Sequence, residues 1–432
     1  LSLDVESHGI DAVPAGSRDR GWFALFAMYA GINICLPMML VGGILVPGLS
    51  FSQAILVGIL GNALAASFIC LAAYPGADHG LPAAVLTRVF LGYPWGTWIA
   101  SLAATFSLLG WYAVQAELAG LAADGLAQKF LGASSPVTAI ALMGGLNVFF
   151  AVMGFGWIQK LATYSVPALL AMSALLFLQL ARDYPFSELV SRPGNGGMSF
   201  LTGINVMVSG QIAASFNSSD LSRYARDHRS VWVGILSGVA PISTFMIGLG
   251  ALSALASGEW NPVLGVQQLG LGVPALLLII FATWTTNDKN LYSGGLALTN
   301  ILPGQARWQH TLVLGVLGTA LGCFRLTRYF TGWLITLGAV FAPLVGILLA
   351  DYFAVRRRKP RVDEVYRLRG SYRYAGGVNI AAILSMAVGV VAGRLAPPES
   401  IQPLVSLLAA GTFYGVAMRL FYPAQFRDGA RA

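Results

Sequence analysis

Twelve apolar stretches run between residues 22 and 422, most of them about 20 residues long and joined by short polar connections. A bilayer core of about 30 Å needs about 20 apolar residues per helix, so the pattern predicts an all-α polytopic membrane protein. The spans read as 22–46, 52–75, 97–123, 137–156, 161–182, 200–222, 231–256, 272–299, 310–324, 329–352, 377–396 and 401–422. Residues 79–93, with His79, Pro82 and Arg88, read as a loop or an interfacial helix. Only 10% of the 432 residues are charged and 56% are hydrophobic, whereas a water-soluble domain carries about 25% charge.

The basic residues orient the chain. With the N-terminus in the cytoplasm, nineteen of the 26 lysines and arginines fall on the inner side, among them Lys160, Arg427, Arg431 and the run Arg356 to Arg373. Six fall outside, and Lys289 lies within a span. That bias fits an even number of spans and both termini in the cytoplasm, in a bacterial-type inner membrane. The net charge of +8 sits mostly in these short loops, so it is an orientation signal and not a nucleic-acid face. The 355–376 loop reads as an anchor beside anionic lipid. Residues 1–20 are polar, carry Asp4, Glu6, Asp11 and Asp19, and do not read as a signal peptide, so the first apolar run is expected to be a true span. The divisions expected are a cytoplasmic segment (1–21), five spans (22–182), five more (183–352), a basic loop (353–376) and a final pair with the tail (377–432). Oligomeric state is not legible.

Enzyme chemistry has little to stand on. Cys35, Cys70 and Cys323 lie in or beside apolar runs without metal-ligand spacing, and His8, His79, His228 and His310 are scattered. A transporter is the expectation, with a channel or receptor as the other class.

Polar groups inside a membrane are costly, so their positions point to function. In the first span, Gly31 and Pro37 weaken the helix around Asn33 and Ile34, and Pro37 offers no N–H to the carbonyl of Asn33. Freed carbonyls must meet protein, water or a cation; a plain proline kink is the alternative. The sixth span turns polar from Ser209 to Asp220. Gly210 there would let a ligand approach the backbone and Gln211 both donates and accepts, with helix packing as the alternative. The eighth span gathers Thr285, Thr286, Asn287, Asp288, Lys289 and Asn290 between apolar flanks, the threonines offering hard oxygens to a small cation. Adjacent Asp288 and Lys289 point about 100° apart on a helix, so each is expected to find its own partner. Interrupted first and sixth spans, five apart, suggest inverted five-helix halves with the site between them. In the third span Trp111 and Gln115 share a helix face, an indole to stack on a flat ring with an amide one turn away. Glu117, two residues on, is either a proton carrier or a buried partner for a cation.

The run from Phe281 to Tyr292, followed by Gly294, Gly295 and Asn300, resembles the eighth-helix signature of the cytosine permease branch of the nucleobase:cation symporter-1 family. Gly110 and Trp111, the stretch Asp220 to Tyr224, and Phe330 to Leu334 leading to Asp351 and Tyr352 also fit, so the resemblance covers roughly 20–422. It implies a LeuT-like fold of twelve helices, a five-plus-five inverted repeat with two extra helices. It also implies cation-coupled uptake of a nucleobase, hydantoin, allantoin or vitamin-related pyrimidine, with Na⁺ or H⁺ as the coupling ion. By position the cation site is then Thr285, Thr286 and Ala282 with carbonyls near Gly31 and Ile34. The substrate residues are Trp111, Gln115, Gly210, Gln211, Asn33, Asn287 and Asp288. Two positions depart from the pattern: Gln211 stands where the family has an aromatic, and Leu108 where cytosine permeases have a glutamine. A purine or substituted pyrimidine is therefore as well matched as cytosine. An amino-acid or vitamin carrier of the same fold is the alternative.

Overall fold

A computed structural model describes residues 11–425 except 154, 271 and 303; the side chains of 153, 155–166, 168, 285 and 300 are outside that description. Among the residues singled out above, Asp4, Glu6, His8, Arg427, Arg431 and the side chains of Lys160, Thr285 and Asn300 therefore lie outside the described residues.

The described residues are helical, with only isolated bridges between Arg20 and Ala225 and between Ala375 and Val378. The helices are α1 (Trp22–Asn33), α2 (Leu36–Leu45), α3 (Phe51–His79), α4 (Ala83–Leu91), α5 (Gly96–Leu131), α6 (Pro136–Met153), α7 (Phe155–Asp183), α8 (Phe186–Ser191), α9 (Phe200–Phe216), α10 (Ser218–Ser222), α11 (His228–Ser257), α12 (Pro262–Gln268), α13 (Gly272–Ile301), α14 (Arg307–Cys323), α15 (Phe330–Leu349), α16 (Ile380–Leu395) and α17 (Gln402–Phe421). Each expected span coincides with a helix or a broken pair. By length and apolarity alone, five single spans qualify among the described residues, and α1 with α2 would make a sixth, bent by 60°. Residues 79–93 contain α4, one of the two readings open for that stretch.

Helix ends follow local chemistry. Ser50 and Gln53 form a reciprocal capping box at the start of α3, the Gln53 N–H donating to Ser50 Oγ (3.3 Å) and the Ser50 N–H to Gln53 Oε1 (3.0 Å). Asp227 Oδ1 accepts from the Ser230 N–H (2.6 Å) to open α11.

Packing divides the helices into two units. In one, α1 and α2 pack on α11, α9 and α10 pack on α3, and α3 packs on α11. In the other, α5 packs on α13, α6 on α14, and each of α5 and α13 also touches α6 and α14. Exchanging the first five spans for the next five maps these pairings onto one another: the broken first span on α11 becomes the broken sixth on α3. Between the units runs α15, packed on α9 and touching α5, while α7 lies against α13 and touches α11 and α6. The last pair, α16 and α17, pack on each other and on α15.

The basic loop is not a uniform surface charge. Arg356 is buried, its Nε donating to Asp351 Oδ2 (2.9 Å). Arg358 pairs with Asp78 (2.9 Å), which also accepts from the Tyr352 hydroxyl and meets His228 Nε2 (2.6 Å). These two arginines join helices, which corrects the reading of the whole run as a lipid anchor.

Candidate functional site

The first span breaks at Ile34 and Cys35, between α1 and α2. Pro37 has no N–H, and the Met38 N–H turns back to the Cys35 carbonyl (3.2 Å), so the carbonyls that end α1, from Gly31 to Ile34, have no intrahelical donor. Asn33 is buried with both ends of its amide in use: Nδ2 donates to the Tyr29 carbonyl (2.9 Å) and Oδ1 accepts from Gln211 Nε2 (2.8 Å). Gln211 Nε2 also faces Asn62 Oδ1 (3.3 Å) and Ser243 Oγ (3.4 Å), and Asn62 Nδ2 reaches Thr244 Oγ1 (3.3 Å). This network ties α9 to α1, α3 and α11. Asn62, Ser243 and Thr244 escaped the sequence reading; the one available signal was an amide, Asn62, in the middle of the long apolar α3.

The sixth span is continuous through Gly210 and breaks instead at Asn217, between α9 and α10. A Cβ built on Gly210 would lie 3.1 Å from Leu334 Cδ2, so that face meets α15 in this conformation. The expectation of an open backbone at Gly210 is corrected on that point.

The eighth span is a single helix through its polar cluster. Thr286 Oγ1 donates to the Ala282 carbonyl (2.7 Å), so those two oxygens are adjacent. Asn287 is fully buried and its Nδ2 donates to the Tyr112 carbonyl of α5 (3.3 Å), leaving Oδ1 buried without a donor. Asp288 is 1% exposed, with Oδ1 likewise unpartnered, whereas Lys289 is exposed. The two therefore point apart. The Trp284 indole approaches Asp288 without hydrogen-bond geometry.

On α5, Gln115 is buried with Oε1 unpartnered, and Trp111 is half-buried with its ring edge-on to Phe330 (centroids 6.0 Å). Glu117 is buried, and both its carboxylate oxygens accept from Thr327, from the backbone N–H (2.9 Å) and from Oγ1 (2.6 Å), holding the turn that leads into α15. That helix then crosses from α5 to α9. A Cβ on Gly110 would fall 2.2 Å from the Trp333 ring, and one on Gly338 would fall 2.3 Å from Ser209 Oγ, so both contacts require glycine. The Phe330 end of α15 thus covers Trp111 and Gly210 from one side.

The structure joins Asn287 to the carbonyl of Tyr112, the neighbour of Trp111 in α5, and buries Asp288 next to it on α13, with Thr286 and Ala282 on the same helix. It places Asn33 and Gln211 in the neighbouring unit, bonded to each other. Two surface clefts of about 240 and 250 Å³ lie elsewhere, one between the ends of α5, α12 and α13 and one on an apolar face near Phe245.

The family described as permeases for cytosine/purines, uracil, thiamine and allantoin matches residues 12–417. A hydantoin permease of Microbacterium maritypicum is 27% identical over 93% of this chain and 86% of its own length. A cytosine permease of Escherichia coli (strain K12) is 28% identical over 93% of this chain and 92% of its own. Among solved structures, the inward-facing conformation of Mhp1 superposes with a TM-score of 0.88 at 26% identity, covering 98% of this chain and 95% of that one. The closed conformation of Mhp1, described as a nucleobase-cation-symport-1 family transporter with bromovinylhydantoin bound, gives 0.85 at 25% identity over 97% and 96%.

Proposed function

This chain belongs to the family of permeases for cytosine/purines, uracil, thiamine and allantoin, and from that premise we propose that it imports a planar nucleobase-like heterocycle by symport with a cation, Na⁺. The observation that carries the reading is the α5–α13 seam. Its two helices carry a half-buried indole, Trp111, and buried amide and carboxylate oxygens with no protein donor, inside an otherwise apolar bundle. A flat ring with polar edges complements that arrangement, the indole taking its face and Gln115 and Asn287 its edge.

We read the chain as twelve spans in a five-plus-five inverted repeat with two extra helices and both termini cytoplasmic. On that orientation the Phe330 end of α15 closes the outer side, and the exposed Lys289 lies on the inner path. The better superposition on the inward-facing relative supports this conformation. Transport then follows from rocking of the unit α1–α3 with α9–α11 against the unit α5, α6, α13 and α14.

The oxygen set suits Na⁺. The hydroxyl of Thr286 and the Ala282 carbonyl are adjacent on α13, and the last carbonyls of α1, including those of Gly31 and Ile34, lack helical donors. With Thr285 these are hard, uncharged oxygens of the kind small cations take. A cation held between α1 and α13 would favour one arrangement of the two units, and the substrate must favour the same one for coupling to arise. Replacing Thr285 and Thr286 together by alanine is expected to weaken Na⁺ affinity at least tenfold. By linkage, substrate affinity measured in Na⁺ should fall as well, in calorimetric titrations of the purified protein. An unchanged Na⁺ dependence removes the cation assignment.

One observation favours proton coupling instead. Lys289 lies four residues after Thr285 and three after Thr286, on the same helix face. An ammonium about 6 Å from a bound Na⁺ opposes it by up to about 3 kcal/mol at an effective dielectric of about 20, less where water screens it. Uptake that rises as external pH falls and ignores Na⁺ would select that reading.

A further inference from the structure

Gln211 of the sixth span stands at the break of the first. Its Nε2 donates to Oδ1 of Asn33 (2.8 Å), the last residue of α1, and lies 3.8 Å from Sδ of Met38, in the first turn of α2. The same nitrogen faces Asn62 Oδ1 on α3 (3.3 Å) and Ser243 Oγ on α11 (3.4 Å). One amide thus reaches both sides of the break and two further helices.

The polarity of this network is set from the backbone outward. Asn33 Nδ2 donates to the Tyr29 carbonyl (2.9 Å), which can only accept, so Asn33 Oδ1 faces Gln211 as an acceptor. Gln211 must therefore present its nitrogen. Asn62 Oδ1 accepts from that nitrogen, while Asn62 Nδ2 reaches Thr244 Oγ1 (3.3 Å). Asn33 and Gln211 are only 4% and 7% exposed, so neither trades these partners freely for water.

The two halves of the broken span are held without Gln211. A Cβ on Gly234 would fall 2.7 Å from the Trp22 carbonyl oxygen and one on Gly238 would fall 2.9 Å from that of Phe26, so α1 lies backbone-close on α11. A Cβ on Gly250 would fall 2.0 Å from the Met39 carbonyl oxygen, so α2 does the same. The helix α11 fixes the halves, and Gln211 fixes what lies between them. The carbonyls that end α1, that of Asn33 among them, belong to this intervening stretch.

We propose that Gln211 is a positioning residue for the coupling cation: acting through Asn33, it aims the carbonyls that end α1, and it does not read the heterocycle. Groups that hydrogen-bond to ligand-bearing residues orient them, and losing one typically costs about 10- to 100-fold in metal affinity. This inference rests on the Na⁺ symport proposed above and deepens it.

The test titrates Na⁺ against the purified full chain, with choline replacing it at constant ionic strength, read by thermal shift. Melting in choline alone reports separately on the fold. Gln211→Met is expected to raise the half-saturating Na⁺ concentration about 10- to 100-fold. Asn33→Ala is expected to do the same, and the double variant to be no worse than the worse single one, because the two residues act in series. Cytosine, uracil, adenine and hypoxanthine are then titrated at saturating Na⁺. The base that the parent binds most tightly should bind Gln211→Met with an affinity within about threefold of the parent's, less than the tenfold that about 1.4 kcal/mol would give. An unchanged Na⁺ response in both single variants overturns the inference and leaves the symport reading intact. So does a tenfold loss of base affinity in Gln211→Met at saturating Na⁺, which would make Gln211 a ring contact. A parent that binds a base and ignores Na⁺ overturns the Na⁺ reading and the inference with it.

Discussion

Replacing Trp111 by alanine is expected to lower affinity for the transported heterocycle by ten- to a hundredfold. Stacking of a planar base on an aromatic side chain contributes about 1–3 kcal/mol, and Trp111 is a half-buried aromatic one turn before the buried Gln115 on α5. It packs on the main core, and its ring meets Phe330 edge-on, a contact that does not stack on the indole face. Because the residue is not fully buried, the cost to the fold should be smaller than for a core tryptophan. Trp111→Phe keeps a π face and should retain most of the affinity. Equilibrium binding, with the melting temperature of the ligand-free protein as control, separates the two effects. Binding by the alanine variant within threefold of the parent would sink the stacking role.

A second large effect is expected on stability. Asp351→Ala removes the carboxylate that holds Arg356, a guanidinium only 6% exposed. Arg356 also donates to the Tyr374 hydroxyl (2.6 Å) and Gln425 Oε1 (3.0 Å), and the Tyr414 hydroxyl donates to Asp351 Oδ1 (2.7 Å). This one cluster joins the end of the α15 span to α17 and the basic loop. Stripping the counter-ion from a buried charge costs about 3–5 kcal/mol. The variant should therefore accumulate poorly and melt about 5–10 °C lower in detergent. Replacing both partners by apolar residues, Asp351→Leu with Arg356→Met, should recover part of the loss, because no charge is then left buried without a partner. A melting point within about 2 °C of the parent for Asp351→Ala would show that the pair contributes little.

The architecture was legible because depth in a membrane is written locally. Twenty apolar residues in a row specify a span without any knowledge of its neighbours, and each expected span has its helix. The break at Ile34 was legible for the same reason: Gly31 and Pro37 act on the backbone within one turn. The continuous helix through Trp284 to Asn290 followed from its apolar flanks. What could not be read was who meets whom. Gln211 was expected to face substrate; instead it bonds Asn33 and approaches Asn62, which lie 178 and 149 positions away. Glu117 was read as a proton carrier or a buried partner for a cation, and nothing near it in sequence pointed to Thr327, 210 positions on, which donates to both its oxygens. Arg356 and Arg358 share one basic run, yet one is buried against Asp351 and the other reaches Asp78. Gly210 looked like a place for a ligand to approach the backbone, but α15 covers it, and the sixth span breaks at Asn217. Local composition fixes polarity and burial, whereas pairing depends on how helices far apart in the chain come together.

The central claim, cation-coupled import of a planar heterocycle, is tested most directly by uptake into proteoliposomes. The tightest-binding heterocycle is supplied outside at equal total salt, with Na⁺ either in an inward gradient or balanced across the membrane. The account predicts transient accumulation above the outside concentration with the gradient, decaying as it runs down, and simple equilibration without it. Identical time courses in the two conditions would contradict Na⁺ coupling, and the absence of accumulation under an inward proton gradient as well would contradict symport altogether.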